Sequence, residues 1–112
     1  MPRDPRTYLW DAARAADLIA SFVGGRTFEE YGTDDMLRSA VERQFEIIGE
    51  SLNQLSRVDA ALAGRVPDLA RLVAFRNILI HGYAIVDDAL VWDAATVKLP
   101  GLRKVLAALL DG

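Results

Sequence analysis

One hundred and twelve residues make a single domain (1–112), large enough for one core and too short for two. The chain has no cysteine and one histidine, which excludes disulfides, thiolate metal sites and a multi-histidine metal site within one chain. A formal charge of −3 argues against broad nonspecific binding to nucleic acid, while a hydrophobic share of 52%, against about 45–50% in an average soluble domain, leaves apolar surface for another subunit.

The elements read as helices throughout. Asp4 is a good N-cap and Pro5 suits a first helical position; Leu9, Ala12, Ala13, Ala16, Ile19, Ala20 and Val23 then recur at helical spacing until Gly24-Gly25 stops the run. Thr27 and Glu30 have the spacing of a capping box on one short turn before Gly32. Thr33 or Asp34 starts the longest helix, which runs to about Ser56 with a buried stripe of Leu37, Val41, Phe45, Ile48, Leu52 and Leu55. Asp59 opens a short turn of helix, broken by Gly64 and Pro67. A third long helix spans about Asp68 to His81, with Gly82 as its terminator. Asp87 or Asp88 caps a last segment, which Pro100-Gly101 is expected to interrupt before Leu102–Leu110 continues. Four main helices with short connections predict an all-α, up-down antiparallel four-helix bundle with an extra short helical turn. No apolar run approaches the roughly 20 residues that cross a bilayer. The leading Met1-Pro2-Arg3-Asp4-Pro5 lacks the apolar centre of a signal peptide, so the expected location is cytoplasmic, with no membrane partner.

The segment richest in chemistry is Arg76-Asn77-Ile78-Leu79-Ile80-His81-Gly82-Tyr83, an Arg-x4-His-x-Tyr pattern. Histidine can give and take a proton near neutral pH, and arginine stays charged and is shaped to hold phosphate oxygens. At about 100° per residue, Leu69, Leu72, Val73, Leu79 and Ile80 all fall within about 60° of Arg76, so this arginine sits in the middle of an apolar stripe. An unpaired buried charge costs several kcal/mol or more, so Arg76 needs a partner or a partly open cleft. Ile78 lies about 200° round the same helix, an apolar second face expected of a helix that is central to the bundle or packs on a second subunit. Asn77 and His81, four apart, share one side. If the helix ends at Gly82, Tyr83 can turn back over that end, and Arg76, Asn77, His81 and Tyr83 could converge on one cleft. The plain alternative is a histidine that caps a helix or fills a core.

Glu42, Glu46 and Glu50 form an i, i+4, i+8 ladder on the longest helix, destabilising by roughly 0.2–0.5 kcal/mol per pair unless cations relieve it. The ladder is either an ordinary solvated face or the source of a carboxylate that anchors Arg76 or orients His81. Glu50 is the best placed, because it follows Gly49, where the missing side chain permits close helix approach. Asp87-Asp88 reads as a helix cap more readily than as a metal site, and Trp10 and Trp92 as core or interface anchors. No Gly-rich phosphate loop, nucleophile elbow or Walker motif is present.

The octapeptide resembles the Arg-x4-His-x-Tyr signature of the HepT-like (DUF86) toxins of the HEPN superfamily. Val41–Glu50, with its Ile48-Gly49-Glu50 ending, is similar to that family's central helix, and Val91-Trp92 with Leu99-Pro100-Gly101-Leu102 to its C-terminal part. The resemblance implies a HEPN-like helical homodimer whose two motif clefts face each other. It implies a metal-independent endoribonuclease without cofactor, the toxin of a type VII-like toxin–antitoxin pair acting on an RNA substrate. His81 would then be general acid or base, Arg76 would hold the phosphate, and Asn77 and Glu50 would support them. The implied antitoxin is a small MntA-type nucleotidyltransferase that silences the toxin by adding AMP to Tyr83, with room for a higher assembly of the two. Two alternatives stand beside this: a non-catalytic HEPN binding or adaptor module working with a nucleotidyltransferase, and a purely structural helical dimer in which Arg76 serves an interface ion pair.

Overall fold

The computed structural model describes residues 3–112; Met1 and Pro2, part of the leader reading, lie outside the described residues. In chain order the elements are α1 (Pro5–Val23), α2 (Phe28–Thr33), α3 (Asp35–Val58), α4 (Ala60–Ala63), α5 (Leu69–His81), a 3-10 turn (Tyr83–Ile85), α6 (Asp88–Asp93), a π-helical stretch (Ala94–Lys98) and α7 (Leu99–Asp111). Among the described residues there is no strand. Among those residues, too, no helix is long and apolar enough to cross a membrane.

Capping chemistry sets most of the boundaries. The Asp4 carboxylate accepts the Arg6 N–H at 2.8 Å, and Pro5 takes the first position of α1. Thr27 and Glu30 exchange the two bonds of a capping box at the start of α2. Asp34 accepts the Leu37 N–H at 3.0 Å and starts α3, Asp59 does the same for Leu62 and starts α4, and Asp87 accepts from Ala89 and starts α6. Gly82 ends α5, its N–H donating to Ile78 O at 2.8 Å.

The core is one cluster. From α1 it takes Leu9, Ala12, Ala15, Ala16, Ile19 and Val23, and from α3 the full stripe Leu37, Val41, Phe45, Ile48, Leu52 and Leu55. α3 is the centre: α1 packs along one side of it and α5 along another, while α7 and the π-helical stretch pack on α1. Arg6 ties the last helix to the first by donating to the carbonyls of Leu109 and Leu110, which satisfies part of the open end of α7.

One expectation is corrected and two are narrowed. Pro100-Gly101 does not interrupt the last helix: α7 runs through both. The chain widens into the π-helical stretch just before them, where the Leu99 N–H reaches back five residues to Ala94 O. Pro100 then falls in the first turn of α7, where a missing N–H breaks no helical bond. Second, of the two readings of α5, the central position is excluded: it buries Leu79 and leaves Ile78 and Ile80 substantially exposed, so within one chain its second apolar face is open. Third, of the core and interface readings of Trp10, the core one is excluded. Trp10 is 53% exposed beside a groove of about 500 Å3 between α1 and α7, with the Arg14 guanidinium 5.9 Å from its ring. Trp92 does pack inward, 5.4 Å from the Tyr31 ring and 6.3 Å from Phe28.

Candidate functional site

The α3–α5 contact is set by a glycine. A Cβ at Gly49 would lie 2.3 Å from Arg76 Cβ and 3.0 Å from Leu72 O, so the two backbones meet at a distance that only glycine allows. Two turns of apolar packing flank this point, including Phe45 against Phe75 edge-to-face at 5.1 Å. The stem of Arg76 is thereby pressed onto α3, and its side chain is only 16% exposed.

Its guanidinium does not remain alone there. Nη2 donates to Glu50 Oε2, and Nη1 donates to Asn77 Oδ1 at 2.6 Å. Nε is buried without a hydrogen-bond partner. Glu50 in turn accepts from Gln54 Nε2 at 3.1 Å. The Gln54 hydrogen bond, and then that of Arg76, hold the Glu50 carboxyl below its ordinary range, with the charge of Arg57 adding to the effect. Glu50 is itself 49% exposed, so the pair sits at a rim and not in the interior. Together with Gln54, Tyr8, Asp11 and Ile80, Glu50 lines a groove of about 410 Å3 bounded by α1, α3 and α5.

The rest of the octapeptide divides by face. Arg76 and Leu79 point toward α3, whereas Asn77, Ile78 and His81 are exposed. Helical geometry puts Asn77 about 100° and His81 about 140° round α5 from Arg76, with Asn77 and His81 one turn apart. Asn77 therefore connects the anchored guanidinium to the face that carries His81. Beyond Gly82, the side chain that folds over the helix end is Ile85, whose Cγ1 comes within 3.5 Å of where a Gly82 Cβ would be. Tyr83, in the 3-10 turn, is 78% exposed and points away. Arg76, Asn77 and Glu50 thus form one connected group, and His81 and Tyr83 lie on the open surface next to it.

The other rungs of the acidic ladder go elsewhere. Glu46 pairs with Arg43 at 3.3 Å. Glu42 is partly buried near Arg38, Asp88 and the Tyr31 hydroxyl. Burial, then Asp88, push its carboxyl above its usual range, and Arg38 opposes them. Burial and the same two carboxylates raise the Tyr31 phenol, whose hydroxyl has no hydrogen-bond partner. Sequence reading missed this cluster and also Gln54, although the i, i+4 spacing of Gln54 from Glu50 was visible. No group of three or more His, Cys, Asp or Glu side chains suited to a metal exists among the described residues.

Comparison with known proteins bears out the family resemblance. Among similar proteins, a candidate RNase of Methanocaldococcus jannaschii (MJ1380) is 31% identical over 102 residues, covering 91% of this chain and 93% of that one. A candidate ribonuclease HepT of Thermococcus cleftensis is 33% identical over 105 residues, covering 92% and 93%. A candidate RNase of Caldanaerobacter subterraneus subsp. tengcongensis (TTE0752) is 29% identical over 109 residues, covering 97% and 96%. No solved structure matches. The family described as ribonuclease HepT-like matches residues 12–109, and the chain belongs to it.

Proposed function

We propose that this protein is a metal-independent endoribonuclease, the toxin of a HepT/MntA-type toxin–antitoxin pair. The observation that carries this reading is the state of Arg76. It is locked by Gly49 and Glu50 on one side, and through Asn77 it reaches the face bearing His81. A guanidinium fixed in this way is organised in advance to bind a phosphate and to stabilise the charge that develops on it.

RNA carries its own nucleophile. His81 takes the proton from the 2′-OH as O2′ bonds to phosphorus, the P–O5′ bond breaks, and the leaving 5′ oxygen gains a proton. One chain holds one histidine, so the second proton transfer falls to His81 of a second copy. The exposed face of α5, with Ile78 and His81, and the exposed Ile85 beyond it offer that copy an apolar seat. The family's ribonuclease relatives support the chemistry, and the exposure of Tyr83 supports its role as the residue to which the nucleotidyltransferase adds AMP. An added AMP would bring bulk and negative charge to the open surface beyond α5 and compete there with RNA.

Expression of Arg76→Ala or His81→Ala should abolish RNA cleavage and growth inhibition while leaving the dimer and helix content intact. Protein made together with its nucleotidyltransferase should gain mass in steps of AMP, and Tyr83→Phe should not. Toxic, cleaving Arg76→Ala protein would overturn the assignment. A stable complex with the nucleotidyltransferase, no cleavage and no toxicity would favour the adaptor reading.

A further inference from the structure

Most arginines of this protein are committed. Arg3, Arg26, Arg38, Arg43, Arg76 and Arg103 each sit on a carboxylate. Arg14, near the Trp10 ring on α1, is exposed without one, and so, away from it, are Arg57, Arg65 and Arg71, none of which has an ion-pair partner among the described residues. They belong to the same end of the bundle, Arg57 on the last turn of α3, Arg65 between α4 and α5, and Arg71 on the first turn of α5. In a chain whose acids outnumber its bases by 16 to 13, three unpaired arginines at one end are a local reversal of sign. The carboxylates nearest in sequence are two, Asp59, which accepts the Leu62 N–H at 3.0 Å, and Asp68 at the N-cap of α5, against three arginines.

Stability does not account for all three. Arg57 suits the C-terminal end of α3, but Arg71 sits in the first turn of α5, where the helix dipole repels a cation; that turn holds no acidic residue, and Asp68 at the N-cap makes no ion pair with Arg71. Arg71 precedes His81 by ten residues, about 15 Å along α5. The charge of Arg57 reaches the Glu50 carboxyl that holds Arg76. The cluster therefore borders the proposed site at the end away from His81.

We infer that Arg57, Arg65 and Arg71 form a docking track for the phosphate backbone of single-stranded RNA, gripping the substrate outside the scissile bond. This rests on the ribonuclease reading and adds where the strand lies. It also gives an acidic protein a way to hold RNA: the contact is confined to a short basic end and leaves the negative surface elsewhere unengaged.

The test uses the full chain and a labelled 2′-O-methyl oligonucleotide, which binds but lacks the nucleophile. Each phosphate contact by a single strand contributes about 0.7 to the slope of log affinity against log salt. The triple variant R57Q/R65Q/R71Q should flatten that slope by about 2 and bind on the order of 100-fold more weakly at 0.1 M salt. Arg71→Gln alone should flatten it by about 0.7. Cleavage of a dinucleotide, too short to reach the track, should stay at the wild-type rate in both variants. His81→Ala should keep the wild-type slope. An unchanged slope in the triple variant, with wild-type protein binding and cleaving RNA, would overturn the track alone. Failure of the wild-type protein to bind or cleave RNA would overturn the track together with the ribonuclease reading.

Discussion

Replacing Gly49 with alanine puts a methyl carbon 2.3 Å from Arg76 Cβ, 2.9 Å from Arg76 Cγ and 3.0 Å from Leu72 O. None of these is the far end of a flexible side chain, so relief requires α5 to move off α3. Restoring an ordinary carbon–carbon contact of about 3.5 Å needs a shift of roughly 1 Å. Overpacking of this kind costs about 1–3 kcal/mol, and alanine returns about 1 kcal/mol through its higher helix propensity. The net loss should be up to about 2 kcal/mol, or a melting temperature lower by up to about 8 °C in a domain of this size. RNA cleavage should fall further than stability does, because the same shift draws the Arg76 guanidinium away from Glu50. The clash survives truncation of Arg76 to alanine, since the closest atom is its Cβ; Gly49→Ala should therefore destabilise the Arg76→Ala background as well. Gly101, in α7 with nothing within 4 Å of an added Cβ, is the internal control. There alanine should stabilise by about 0.5–1 kcal/mol. Urea unfolding at constant slope reads both changes. Gly49→Ala protein stabilised as much as Gly101→Ala protein would refute the close-approach argument.

The two ends of the acidic ladder should respond to pH with opposite signs. Glu42 has a raised pKa in the folded state, so its contribution is favourable below its ordinary value of 4.5 and is lost as pH rises through the folded pKa. Glu42→Gln should stabilise the protein at pH 7, with the gain vanishing in acid. Glu50 has a lowered pKa, so its contribution is present above 4.5 and is lost as pH falls through the folded value. Glu50→Gln should destabilise at pH 7, with the deficit shrinking below pH 4.5; unfolding curves across pH 3–8 check both. Tyr31→Phe removes a buried hydroxyl that has no partner, so it should raise stability by about 1 kcal/mol, measured by the same unfolding curves. A loss of similar size would instead reveal a bond to that hydroxyl.

How much was legible in the sequence depended on the range of the interaction involved. Caps are local: Asp4, Thr27 with Glu30, and the Gly82 stop need only neighbours within one turn, and all act as their spacing suggests. The α3 stripe was legible for a similar reason, because a helix buried along one side writes its packing into a regular period. Pro100 misled because its local effect was absorbed by a π-helical stretch that no residue of the sequence announces. α5 was ambiguous because a helix apolar all round reads the same whether it is central or waits at an edge for a partner. In the candidate site, the mid-stripe position of Arg76 signalled that a partner exists, and Gly49 signalled where two helices meet. That Tyr83 turns outward while Ile85 covers Gly82 depends on a three-residue turn, which periodicity does not describe.

The most direct test of the central claim is the rate of RNA cleavage by wild-type and His81→Ala protein in excess EDTA. Removing a general acid–base residue costs about 100- to 10,000-fold in rate. The wild-type protein should cleave RNA at the same rate with and without EDTA, and His81→Ala should fall by that factor while remaining folded. Equal cleavage by the two proteins, or wild-type cleavage that stops when EDTA is added, would contradict the metal-free His81 mechanism.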